Sequence, residues 1–195
     1  MSASPSAPGH ESLSPSPWMV RFAHLVTEGA RVLDVASGHG RHARFFAGRG
    51  CRVLAIDRDA GALASLTTVP GIETAVFDLE GEAWPLAGEC FDANVVANYV
   101  HRPLLAHLLT ALAADGALLY ETFARGNEVY DRPSNPAFLL EPGELLRIAK
   151  GRLEIVAFEE GRIARQGRDA VVQRIAAVGL RRARPLVLPS ADLPA

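Results

Sequence analysis

The run Val32-Leu33-Asp34-Val35-Ala36-Ser37-Gly38-His39-Gly40-Arg41 leaves this chain few ways to fold. Arg31 to Val35 reads as a buried strand. Gly38 and Gly40 let the backbone turn sharply and approach a ligand closely, and an amphipathic helix starts near Arg41. A strand, a glycine turn and a helix N-terminus in that order make a nucleotide-type pocket at the carboxyl edge of a parallel sheet.

Two kinds of nucleotide compete for that pocket. Gly38-His39-Gly40-Arg41-His42-Ala43 satisfies the dinucleotide pattern G-x-G-x-x-[GA], which points to a nicotinamide-dependent oxidoreductase. Asp34 argues against it, because its carboxylate at the strand end would face the space a pyrophosphate must occupy, and like charges in a partly dry pocket repel. A ligand that brings an ammonium and a sulfonium would welcome the carboxylate instead. The spacing Asp34, Ala36, Gly38, Gly40 resembles motif I of the class I S-adenosylmethionine-dependent methyltransferases, [DE]-x-G-x-G-x-G, with Ala36 in place of the first glycine. Alanine is small enough to leave room for the methionine moiety. The resemblance implies S-adenosylmethionine as cofactor, with Asp34, Ala36, Gly38 and Gly40 at its amino-acid end.

The rest of the chain continues the pattern. Arg52 to Ile56 is a second strand ending at Asp57, and Asp59 to Leu66 a helix. Asp57 falls near the spacing at which an acidic residue accepts both ribose hydroxyls, although an ordinary loop aspartate would look the same. Arg58 joins it in the expected cofactor set. Gly71 to Phe77 reads as a third strand, and the resemblance implies that Asp78 takes the adenine amino group while the Leu79 amide meets a ring nitrogen; a solvated Asp-Leu-Glu turn is the alternative. Phe91 to Ala97 is a fourth strand, Leu104 to Ala113 a helix, and Ala117 to Phe123 a fifth strand, with Gly116 expected to make the turn between the last two. Arg152 to Glu159 and Asp169 to Val178 are β-rich runs whose linker is too short for a parallel crossover, so they form an antiparallel hairpin. A dinucleotide-binding sheet would continue in parallel. The expected fold is α/β, a Rossmann-like three-layer sandwich with a seven-stranded, mostly parallel sheet and an antiparallel C-terminal hairpin.

The 195-residue chain is 49% hydrophobic, enough for one substantial core, and its formal charge of −2 predicts no strong attraction to nucleic acid or anionic membrane. Residues 1–15, rich in Ser, Pro and Ala, read as disordered, 16–180 as the folded domain and 181–195 as a flexible tail. Cys51 and Cys90 lie in apolar segments and read as buried thiols in a reducing compartment. With no apolar stretch of spanning length and no signal-peptide pattern, a cytoplasmic protein is expected, monomeric or homodimeric. His39 and His42 lack further ligands at suitable spacing, so no metal is expected and the pair reads as solvent-exposed or in contact with the cofactor.

Methyl transfer from a sulfonium is a displacement with a good leaving group, so the protein chiefly aligns the acceptor and excludes water. Three segments reach the carboxyl edge. Around the end of the fourth strand, Asn98 would contact the cofactor. Next to it, Tyr99, His101 and Arg102 are candidates for reacting or orienting roles. His101 is the best base by its ordinary pKa, although a helix-start histidine facing solvent reads identically. Trp18 and Arg21, on a helix from Trp18 to Thr27 capped by Ser16, and Glu121 with Arg125 are candidates for holding substrate; by periodicity alone the Trp18 face packs on the sheet. The long polar stretch from Glu121 to Pro136 suggests a lid over the sheet edge. Its Glu121-Thr122-Phe123 start and the Phe138 to Leu145 segment, together with Ser16-Pro17-Trp18 and Asn98 to Pro103, resemble bacterial tellurite-resistance-type methyltransferases. That implies a small-molecule acceptor, with a thiol or metalloid oxyanion as one possibility. A non-catalytic S-adenosylmethionine-binding module is the remaining alternative.

Overall fold

A computed structural model describes residues 14–81, 83–130, 132–165, 168–186 and 188–189. Its strands are β1 (Arg31–Val35), β2 (Arg52–Asp57), β3 (Ile72–Val76), β4 (Phe91–Ala97), β5 (Leu112–Phe123), β6 (Leu153–Arg165) and β7 (Arg168–Gly179). The helices are α1 (Pro17–Phe22), α2 (Arg41–Ala47), α3 (Ala60–Ala64), α4 (Leu104–Thr110) and α5 (Glu144–Ala149). The strands form one sheet in the order β3-β2-β1-β4-β5-β7-β6, parallel from β3 to β5 and antiparallel through β7 and β6.

Helices cover both faces, so the central strands carry apolar side chains on each pleat. Val32, Val95 and Leu119 pack on one face with Trp18 and Phe22 of α1, Phe46 of α2 and Leu63 of α3. Leu33, Val35, Val96 and Tyr120 pack on the other with Leu104 and Leu108 of α4 and Leu145 of α5. Local chemistry starts the elements where expected: the Ser16 hydroxyl accepts from the Trp18 amide with Pro17 in the first turn, and the Asp59 carboxylate accepts from Gly61 and Ala62.

Four expectations change. The helix after β4 ends at Thr110 and β5 begins at Leu112, so Gly116 lies inside a strand rather than in a turn. A register shift between Phe91 and Ala93 brings β4 close there, and a side chain at Gly116 would stand 2.9 Å from the Asp92 carbonyl oxygen. The hairpin linker is itself strand, pairing from Leu153 to Arg165 against Arg168 to Gly179, since hydrogen bonding along two long edges favours continuing the ladder. Cys51 is buried, but Cys90 is exposed in the loop before β4. The start of the expected tail is tied down, with the Arg182 guanidinium donating to the carbonyls of Asp115 at 3.0 Å and Leu25 at 2.8 Å. Residues 1–13 of the expected disordered segment and 190–195 of the tail lie outside the described residues. Among the described residues no helix is long and apolar enough to cross a membrane.

Candidate functional site

Beyond β1 the chain turns toward β2, and beyond β4 toward β5, so the loops that follow these adjacent strands part and open a crevice at the sheet's carboxyl edge. Two cavities lie there. The larger, about 360 Å³, is walled by Asp57, Arg58, Phe77, Asp78, Leu79, Glu80 and Val100, with Pro133 and Phe138 from the stretch after β5. The smaller, about 160 Å³, is walled by Asp34, Ser37, Gly38, His39, Arg41, His42 and Ala97. Ala36, Asn98 and Tyr99 line both.

Two of these shared residues carry backbone strain. Ala36 has φ +52° and Asn98 φ +58°, the positive-φ residues other than glycine among the described residues. Asparagine tolerates the left-handed region; alanine there is disfavoured by about 1–2 kcal/mol. Ala36 occupies the place where motif I has its first glycine, so the turn keeps the glycine conformation without the glycine. Strain held at the ends of β1 and β4 is of the kind concentrated at functional clefts.

The acidic residues divide between the cavities. Asp34, 1% exposed, borders the smaller one and accepts from the Ala43 amide in the first turn of α2 at 2.8 Å. Burial pushes its carboxyl up to about 7, against the lowering effect of that hydrogen bond and of Arg41. Asp57 borders the larger cavity; its two oxygens accept from the amides of Gly38 at 2.8 Å and Asp59 at 2.9 Å, so one side chain sets the shape of the glycine turn and keeps outward lone pairs available. Asp78 accepts from the Glu80 amide at 3.0 Å, and Leu79 is buried beside it. The Ser37 hydroxyl and the Tyr99 phenol are buried without a hydrogen-bond partner among the described residues. Such orphaned groups at a cleft fit a polar ligand that completes them.

The expected acceptor-side residues are placed elsewhere, with the exception of Tyr99. His101 precedes α4 and lines neither cavity. Arg102 is a clasp: Nε and Nη2 bind both oxygens of Glu144 at 2.9 Å, while Nη1 and Nη2 donate to the carbonyls of Ala137 at 3.0 Å and Leu139 at 2.8 Å. Its fork is thus committed to holding the Pro136–Leu140 stretch, and through it Phe138, at the mouth of the larger cavity. Trp18 is 1% exposed in the core, its indole N–H donating to the Ile175 carbonyl at 3.3 Å, as its helical periodicity suggested. Arg21 pairs on the surface with Glu159, and Arg125 with Glu141. Glu121 is buried and accepts from the Ser16 hydroxyl at 3.0 Å and from Arg174 at 3.3 Å, while the Ser16 amide donates to His42 Nε2 at 3.2 Å. These groups tie α1 to the sheet and to α2.

Arg102→Ala is therefore expected to act on the strap, not on a reacting atom. Tm should fall by a few degrees, about 1–2 kcal/mol given that Arg102 itself is partly exposed, with faster amide exchange at 137–140. Exchange mass spectrometry showing no change in that stretch would contradict the clasp.

Sequence reasoning missed Phe138, Pro133 and Ser37 as cavity residues, while His39 and His42, which read as solvent-exposed or in contact with the cofactor, line the smaller cavity. Phe138 left as its trace only its place at the end of the long polar stretch after β5; Ser37 had only its nearness to the glycines.

Residues 32–116, from β1 into β5, match the family model described as a methyltransferase domain. No curated protein matches the chain in sequence. TehB from Haemophilus influenzae has a similar structure, with a TM-score of 0.69 at 18% identity over 83% of this chain and 61% of that one, so the chain spans about three fifths of that protein. A TehB-like S-adenosylmethionine-dependent methyltransferase from Corynebacterium glutamicum gives a TM-score of 0.59 at 21% identity, covering 83% of this chain and 86% of that one. The [4+2]-cyclase SpnF is also similar, with a TM-score of 0.62 at 14% identity over 83% of this chain and 78% of that one. The likeness to these structures is one of fold, while the family match falls on the segment that holds the glycine turn, Asp34, Asp57, Asp78 and Tyr99. Residues 32–116 thus resemble a methyltransferase domain, and the chain shares its fold with solved S-adenosylmethionine-dependent methyltransferases, the TehB proteins among them.

Proposed function

We propose that this protein is an S-adenosylmethionine-dependent methyltransferase that methylates a small-molecule acceptor, with thiols and metalloid oxyanions as the first classes to test. The observation that carries the reading is the division of carboxylates between two joined cavities. Asp34 suits the ammonium of the cofactor's amino-acid end, Asp57 suits the ribose hydroxyls and Asp78 the adenine amino group. Ala36, Gly38 and Gly40 supply close backbone approach, and Arg58, Leu79 and Asn98 border the same space. Bound there, the cofactor would supply an electrophilic methyl group. The chain's own residues would align the acceptor and keep water away, tasks suited to the apolar side chains of Phe77, Val100 and Phe138. The nicotinamide reading is disfavoured by Asp34 and by the antiparallel β7 and β6, where a dinucleotide-binding sheet stays parallel.

Calorimetric titration with S-adenosylmethionine, S-adenosylhomocysteine and NAD in parallel tests the reading. Both adenosyl ligands should bind and NAD should not, and a thiol or metalloid oxyanion should then become methylated when added with the cofactor. Binding of NAD alone, or of none of the three, would overturn it.

A further inference from the structure

The two cavities meet at a wall made by Ala36, Asn98 and Tyr99, and Tyr99 is the one large side chain in it. Its backbone is held from two sides. The Tyr120 hydroxyl donates to the Tyr99 carbonyl at 2.8 Å, and the neighbouring Asn98 amide donates to the Glu121 carbonyl at 2.9 Å. The strained φ at Asn98 then turns the chain out of β4. The backbone of Tyr99 is therefore fixed in the wall, and among the described residues no hydrogen bond occupies its hydroxyl.

The covalent structure of the cofactor says what must cross that wall. Its sulfur is bonded on one side to the amino-acid chain and on the other to the ribose. With the ammonium near Asp34 in the smaller cavity and the ribose near Asp57 in the larger, the sulfur falls between them, beside the residues that both cavities share. Ala36 offers a methyl group and Asn98 a neutral amide. Tyr99 offers an aromatic ring, whose negative face attracts a cation.

We infer that the Tyr99 ring is the platform on which the sulfonium rests, and that it makes the site prefer the charged methyl donor over the neutral demethylated product. This rests on the cofactor reading above and extends it to product release, since a pocket that loses attraction for its ligand at the moment of transfer frees the product more readily. Burial, with Glu80 and Asp78 nearby, pushes the phenol up to about 12, so Tyr99 keeps its proton at neutral pH and serves as a donor, not as a base.

The test compares dissociation constants for S-adenosylmethionine and S-adenosylhomocysteine in the wild-type protein, Tyr99→Phe and Tyr99→Leu, with Tyr99→Met as a second non-aromatic variant should the leucine protein not fold. The preference for the charged ligand should persist within about two-fold in Tyr99→Phe and fall by about ten-fold in the leucine or methionine variant, the size of a partly desolvated cation–aromatic contact. A preference that survives loss of the ring while both ligands still bind would overturn this role and leave the cofactor assignment standing. Failure of the wild-type protein to bind either ligand would instead overturn the cofactor assignment, and this role with it.

Discussion

Asp34→Asn should abolish measurable S-adenosylmethionine binding while leaving the protein at least as stable as the wild type. The two effects part because the carboxylate is buried for the ligand's sake. Asp34 is 1% exposed, with one backbone amide to stabilise its charge, and burial raises its carboxyl from 3.8 to about 7. Arg41 opposes that rise and Asp57 adds to it. A shift of that size means that ionised Asp34 weakens the empty fold by about 4 kcal/mol at high pH. Because the folded value lies above the unfolded one, this residue's contribution is most favourable below pH 3.8 and is lost as pH rises through about 7. Asparagine still accepts from Ala43 and carries no charge, so thermal denaturation at pH 8 should show an equal or higher Tm. Binding should weaken by about 100-fold or more, as expected when one member of a desolvated ion pair is removed. In the wild-type protein, affinity for the cationic cofactor should climb with pH up to about 7 and then level off, with proton release on binding at lower pH. Calorimetry in buffers of different ionisation enthalpy reads that release. An affinity independent of pH, or an asparagine variant that binds within a few-fold of wild type, would contradict the role given to Asp34.

The second large effect is on stability alone. Arg174→Met should lower Tm by about 10 °C, because it strands a carboxylate in the core. Arg174 on β7 reaches Glu121 on β5 at 3.3 Å and Glu159 on β6 at 3.0 Å, with its guanidinium 5.1 Å from the centre of the Trp18 ring. The Glu121 side chain is 3% exposed, so loss of Arg174 removes the guanidinium that balances its charge and leaves it the hydrogen bond from the Ser16 hydroxyl. Breaking a buried pair from one side costs about 3–5 kcal/mol, and each kcal/mol is worth about 2–4 °C in a chain of this size. Adding Glu121→Gln should recover most of the loss, since the neutral amide needs no counter-charge. A denaturation series in which the double variant is no more stable than Arg174→Met would show that the pair is not what holds this corner together.

Features carried by nearby residues were legible without coordinates. The Ser16-Pro17 start of α1, the Asp59 cap of α3, the glycine turn after β1 and the alternation that buries both pleats of β1 and β4 each depend on contacts within a few residues. The same is true of Asp34, Asp57 and Asp78, which stand at strand ends and so come to one sheet edge whenever the strands are parallel. The position of Gly116 was misread because a glycine at a helix end and a glycine at a bulge look alike until the register of β4 against β5 is known.

What the sequence by itself determined is the order of strands and helices, the crevice they create and the acidic residues along its floor, because backbone geometry and side-chain periodicity are local. What only the tertiary structure decided is the use of the longer polar side chains. Arg102 reads as a reacting or orienting group, yet it grips Glu144 across 42 residues; Glu121 reads as a group that holds substrate, yet it answers Ser16 across 105 and Arg174 across 53. A flexible charged side chain has no preferred partner in sequence, and folding brings to it whichever opposite charge or carbonyl the packing leaves unsatisfied. Tyr99 gained its place in the same way, from the meeting of β1 and β4 that sets one ring between two cavities.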